Sequence, residues 1–119
     1  MLVMYRIFEE KNNLPHTLFH GVNGSRCLPL DEWVDAEVKE VYDGVKTRAT
    51  KYTAGFHVLP TIELVKKFLS RFKKLDNRVI CPVEVEDIWS KEHSHAPVKL
   101  ARRMRVPKKF WEMRISCLQ

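Results

Sequence analysis

Four cations crowd one short stretch near the end of the chain: Lys99, Arg102, Arg103 and Arg105. Guanidinium forks match the paired oxygens of phosphate and carboxylate, so a row of them outlines an anion receptor. Strand alternation would put Lys99, Arg103 and Arg105 on one face, with Arg102, Leu100 and Met104 on the other. Phe56 or Trp89 could stack a base, with Tyr52, Phe110 and Trp111 as further aromatics. His20 or His57 could donate a hydrogen bond to the same ligand. The competing arrangement is internal. Glu84 and Glu86 fall on one face of an alternating segment, and the arginines could pair with them or with the acids of 31–43 instead.

Other chemistries find less support. The five histidines and three cysteines include no Cys-x-x-Cys and no His-Glu-x-x-His, so no metal site is expected. Cys27 follows Arg26, and a neighbouring cation favours a thiolate, but Leu28 on its other side suits a small core residue equally well. Cys81 sits between Ile80 and Pro82, a setting for a buried thiol. There is no Gly-x-Ser-x-Gly elbow and no glycine-rich phosphate loop. Enzymatic activity is therefore left open, with a non-catalytic role favoured.

The surrounding charge supports an anion. From Lys91 onward there are eight Lys or Arg and two acids, and the net charge of the chain is +6. Six acids, with only Lys39 against them, lie between Leu30 and Asp43. Such a separation makes a field, and its basic side attracts phosphate-bearing small molecules, nucleic acid or an acidic protein surface. No run of eighteen apolar residues exists, so no membrane-spanning helix is expected. Residues 1–8 lack the basic start and long apolar centre of a secretory leader, and Arg6 interrupts them. Three widely spaced cysteines suit a reducing cytoplasm rather than a disulfide framework.

The elements that must position these groups read as α+β. One domain is expected over residues 1–119, with two helices packed on a mixed or antiparallel sheet of about five strands. Residues 1–8 and 17–22 suit strands, with a turn at Lys11-Asn12-Asn13-Leu14-Pro15 and another at Asn23-Gly24. Arg26, Cys27 and Leu28 suit a short return strand. Asp31 reads as the N-cap of a first helix whose stripe is Val34, Val38, Val41 and Tyr42, ended by Gly44. Residues 55–59 form a further strand. A second helix starts at Pro60-Thr61, with Ile62, Val65, Phe68, Leu69 and Phe72 on one face. Residues 78–86 alternate as a strand in which Pro82 requires an edge or a bulge. Residues 98–106 form another, stopped by Pro107, and 110–118 fit either a strand or a short helix.

The chain resembles a family of small, mostly uncharacterised proteins of tailed bacteriophages. The matching pieces are Tyr5-Arg6-Ile7-Phe8, Leu18-Phe19-His20, Leu28-Pro29-Leu30-Asp31-Glu32-Trp33 with Ala36-Glu37, Gly55-Phe56-His57-Val58, Val83-Glu84-Val85-Glu86-Asp87, and Leu100-Ala101-Arg102-Arg103-Met104-Arg105-Val106. The resemblance implies a protein of the infected host's cytoplasm that counters a host process, some such proteins sequestering nucleotide signals. A lesser likeness is to ADP-ribosyltransferases of the poly(ADP-ribose) polymerase type. His20-Gly21 is similar to their ribose-holding element, Gly55-Phe56-His57 loosely to their ring-stacking strand with His57 in place of Tyr, and Glu84 or Glu86 to their glutamate. That likeness implies NAD as co-substrate, with His20 and Glu84 in the catalytic roles. The expectation carried forward is a nucleotide or nucleotide-messenger binder that needs no cofactor. An inhibitor of a host protein is the remaining alternative, and a symmetric oligomer could complete the site.

Overall fold

The computed structural model describes residues 2–18, 26–36, 40–43, 50–53, 55–71, 75–90 and 98–118. Two long strands form its centre, β1 (Leu2–Lys11) and β7 (Arg78–Ser90). Between them in sequence come β2 (Leu14–His16), β3 (Trp33–Asp35), β4 (Glu40–Asp43), β5 (Thr50–Thr53), β6 (Phe56–Val58) and α1 (Ile62–Phe68), which one 3₁₀ turn, Leu69–Arg71, extends. After them come β8 (Lys99–Arg105), α2 (Lys108–Glu112) and β9 (Ile115–Ser116).

The main sheet is antiparallel, in the order β2-β1-β7-β8-β3, with β6 also on β8 and β9 on β7. β4 and β5 pair separately as a hairpin. The sheet curls on itself. Leu59, one residue past β6, exchanges two backbone bonds with Tyr5 of β1, each 2.8 Å long. β1, β7, β8 and β6 thereby close a ring.

Alternation then sorts the side chains of β1. Met4 and Phe8 enter the cluster inside the ring with Phe56, Val58, Val79, Cys81, Val83, Val85, Ala101, Met104, Val106 and Trp111. Ile7 faces the other way, into a second cluster with Leu59, Val65, Ile80, Val98 and Cys117 beneath α1. α1 starts where the sequence places it: the Thr61 side chain accepts from Leu64 N–H at 3.2 Å. Both helices lie at the edge of the sheet and are not packed across it, which corrects that part of the expected architecture.

The largest departure concerns 31–43. No helix starts at Asp31. Its backbone is left-handed (φ 64°), and the following residues Trp33, Val34 and Asp35 pair with Arg105, Met104 and Arg103 of β8. β-branched valines at the supposed helix stripe suit a strand as well, and the free edge of β8 offers both hydrogen bonds and opposite charge. Asp31 still caps a helix, a distant one: its carboxylate accepts the N–H of Lys108, the first residue of α2, at 2.9 Å. A short strand lies at Leu14–His16, ahead of the expected strand of 17–22, of which residues 19–22 lie outside the described residues. The tail holds both alternatives, a short helix and then a short strand.

Pro82 fits a central strand for a local reason. Its neighbour on β1 is Tyr5, whose N–H and C=O both turn away to Leu59. Tyr5 and Pro82 are therefore a non-hydrogen-bonded pair, and the proline nitrogen faces the opposite edge of β7. There β9 pairs only Val79 and Ile80, and β8 begins at Glu84. The missing donor falls in the gap between them.

Candidate anion site

The cations of β8 do not assemble an open receptor. The Arg103 fork donates from Nε to Asp35 Oδ1 and from Nη1 to Glu86 Oε2, both at 3.0 Å, and its Cζ lies 5.1 Å from the Trp33 ring centre. Arg105 Nη1 donates to Glu84 Oε1 at 2.8 Å. Both pairs follow from the β7–β8 register, which sets Glu84 opposite Arg105 and Glu86 opposite Arg103. The internal pairing weighed in the sequence is the arrangement found.

Lys99 Nζ donates to Ser90 Oγ at 2.7 Å. Arg102 is exposed at the point where the free edge of β8 passes from β6 to β3. The expected shared face of Lys99, Arg103 and Arg105 is broken here. Ala101 and Met104, three residues apart, enter one core cluster, so the alternation of β8 shifts by one between them. Opposite this point Asp87 has a left-handed backbone (φ 54°). Trp89 is half-buried over Gly55, its ring edge 2.9 Å from where a β-carbon there would stand.

A different arginine occupies the inside of the ring. Arg6 shares the inward face of β1 with Met4 and Phe8, and only 7% of it is exposed. Its Nη1 donates to the backbone oxygen of His57 at 2.9 Å. Its Nε is buried and, among the described residues, has no hydrogen-bond partner. The guanidinium carbon lies 5.4 Å from the Phe8 ring centre and 5.6 Å from that of Phe56. Two aromatic faces thus compensate part of the lost hydration. Among the described residues no carboxylate pairs with it.

A second cation stands at the same ring. Arg26 Cζ lies 5.9 Å from the Phe56 centre, and Arg26 is exposed. Its backbone is held by Thr17: Arg26 N–H donates to Thr17 Oγ1 at 2.9 Å, and Thr17 N–H donates to Arg26 O at 2.8 Å. Among the described residues Arg26 also lacks an acid. Burial first, and the charge of Arg26 second, lower the pKa of Arg6 to about 10. Arg6 therefore remains a cation at neutral pH. Holding such a charge out of water without a counter-ion costs roughly several kcal/mol.

The other expected ligand groups divide between this place and elsewhere. Phe56 is here, but 6% exposed and with guanidinium groups at its ring, so it offers no open face for a base. His57 is here through its backbone oxygen. His20, with Gly21, lies outside the described residues, as do His93 and His95. Glu84, the glutamate of the transferase likeness, has its carboxylate on Arg105.

Among the described residues no group of three or more His, Cys, Asp or Glu converges as metal ligands, and no helix is long and apolar enough to cross a membrane. Comparison of the chain with protein-family models, curated proteins and solved structures returns no match.

The sequence reading singled out neither Arg6 nor Arg26. For Arg6 a signal was present. Residues 2–8 are apolar on both faces except at that one position, so either parity of the strand buries the cation. For Arg26 nothing local distinguishes it from other surface arginines.

Proposed function

We propose that this protein binds a phosphate-bearing small molecule, a nucleotide or nucleotide messenger being the leading candidate, and withholds it from other proteins. The observation that carries this reading is the Arg6–Arg26 pair, two neighbouring cations with no acid among the described residues, one of them buried with an unpartnered donor. An anion would supply the counter-charge that the described residues do not, and in that dry setting each charge-assisted bond is strong. The net charge of +6 would draw anions to the surface. The likeness to small tailed-phage proteins gives the proposal its setting, the cytoplasm of an infected cell, where removing a nucleotide signal would blunt a defence response.

The transferase alternative gains no observation, since Glu84 is engaged by Arg105. Mass spectrometry of small molecules released by heating the purified protein tests the proposal. A stoichiometric, chemically unaltered phosphate ester is the expected result. A protein that releases none and whose melting temperature responds to no added phosphate ester contradicts it.

A further inference from the structure

We propose that the site admits only the oxyanion end of its ligand, held edge-on by Arg6, and that it reads no base. The inference rests on the binding function proposed above and narrows the substrate class to phosphate monoesters whatever they carry. Three features of the guanidinium lead to it. Two aromatic rings lie beside it, Phe8 and Phe56, with centres 5.4 and 5.6 Å from its central carbon. Its Nη1 is committed to the His57 carbonyl. What remains is the side-on edge formed by Nε and Nη2. Among the described residues neither Nε nor Nη2 has a hydrogen-bond partner. That edge presents two parallel N–H donors, the spacing that two oxygens of one phosphate accept.

The aromatic ring that would stack a base is already used. Phe56 is buried with Arg6 and Arg26 both at its ring. A nucleoside moiety would therefore lie outside, past Arg26. Arg26 is exposed and tethered to Thr17 through its backbone, with its guanidinium at the Phe56 ring, so it adds a second positive charge beside the anion. Such a site discriminates by charge and by the number of unesterified oxygens, not by hydrogen bonds to a base.

The test uses the whole protein and a panel of probes: inorganic phosphate, ribose 5-phosphate, AMP, CMP and adenosine, read by calorimetric titration and by thermal shift. Ribose 5-phosphate, AMP and CMP should bind within about threefold of one another, inorganic phosphate should compete with them, and adenosine should do nothing. Arg6→Lys keeps the charge but loses the fork, and should weaken all three esters by about tenfold or more. Arg26→Ala, at an exposed position, should fold normally and weaken them severalfold. Discrimination of more than about tenfold between AMP and CMP, or a response to adenosine, would mean that the base is read; this proposal would fall while the binding function stood. Binding unchanged in both variants would move the site elsewhere and overturn the proposal as well. No response to any phosphate-bearing probe would overturn it together with the binding function.

Discussion

Arg6 sits where an apolar side chain would cost less. The inner face of β1 is otherwise Met4 and Phe8, and the cross-strand neighbour of Arg6 is Cys81. Even buried ion pairs can often be replaced by well-packed apolar groups at no cost, whereas removing one partner of a matched pair destabilises the fold. The two thiols near the core behave oppositely to Arg6. Burial pushes Cys81 up to about 12 and Cys117 up to about 11, so both stay protonated and unreactive at neutral pH. Cys27 is exposed. Mass-resolved alkylation of the native protein at pH 8 should label Cys27 first, with Cys81 and Cys117 protected until denaturant is added. The thiols also set a sign for alkaline stability. Above pH 9 the unfolded chain gives up thiol protons that the fold retains, so stability should fall as pH rises from 9 toward 12. Arg6 acts in reverse, because the unfolded chain then holds the extra proton, but only above about pH 10. A urea midpoint that drops between pH 8.5 and 10, and drops less in Cys81→Ala, would match this account.

At the scale of elements, close approach at Gly55 and the pairing of β8 decide the shape around the site. A β-carbon at Gly55 would stand 2.9 Å from the Ala101 carbonyl oxygen and 2.9 Å from the Trp89 ring. The first of these is backbone and cannot step aside cheaply. Gly55→Ala should therefore destabilise the protein by about 1–3 kcal/mol in chemical denaturation. Arg103 is tied to Asp35 and Glu86 at partly exposed positions, so Arg103→Ala should cost no more than about 1 kcal/mol. It should leave phosphate-ester binding unchanged, which separates the site at Arg6 from the row of cations that the sequence advertises. Legibility followed the same division. The long strands were readable because alternation and turn chemistry agree there: Asn12 and Asn13 adopt the left-handed backbone of a tight turn, and Asp76-Asn77 precedes β7. Residues 31–43 were misread because their spacing fits a helix as well as a strand, and the edge of β8, far away in sequence, settles it for Trp33–Asp35. The arginine–glutamate pairs were open to two readings until the β7–β8 register was known. The Phe56 ring illustrates the limit best. Its aromatic type was legible, but not that two arginines from separate parts of the chain would converge on it.

For the whole molecule, the C-terminal segment fastens the curled sheet. Arg114 pairs with Glu10, donates to Asn13 Oδ1 at 2.7 Å and to the Trp111 carbonyl at 2.9 Å, and lies 4.5 Å from the Trp111 ring centre. Trp111 Nε1 donates to Asn13 O at 2.9 Å, and its ring meets Phe8 edge to face at 6.1 Å. The end of the chain thus braces the β1–β2 hairpin, the strand that carries Arg6. Other cations are tied down in the same way, Arg78 to Glu9 as well as the pairs on β8. That contrast makes Arg6, without an acid among the described residues, informative, and it defines the decisive measurement. Urea denaturation of the wild-type protein and of Arg6→Met should be compared in anion-depleted buffer and with saturating AMP. The account predicts that without ligand the variant is as stable as wild type or up to about 3 kcal/mol more stable, and that AMP stabilises wild type alone. A variant that loses about 3–5 kcal/mol in both buffers, with AMP stabilising neither protein, would show that the fold itself satisfies this arginine and would contradict the account.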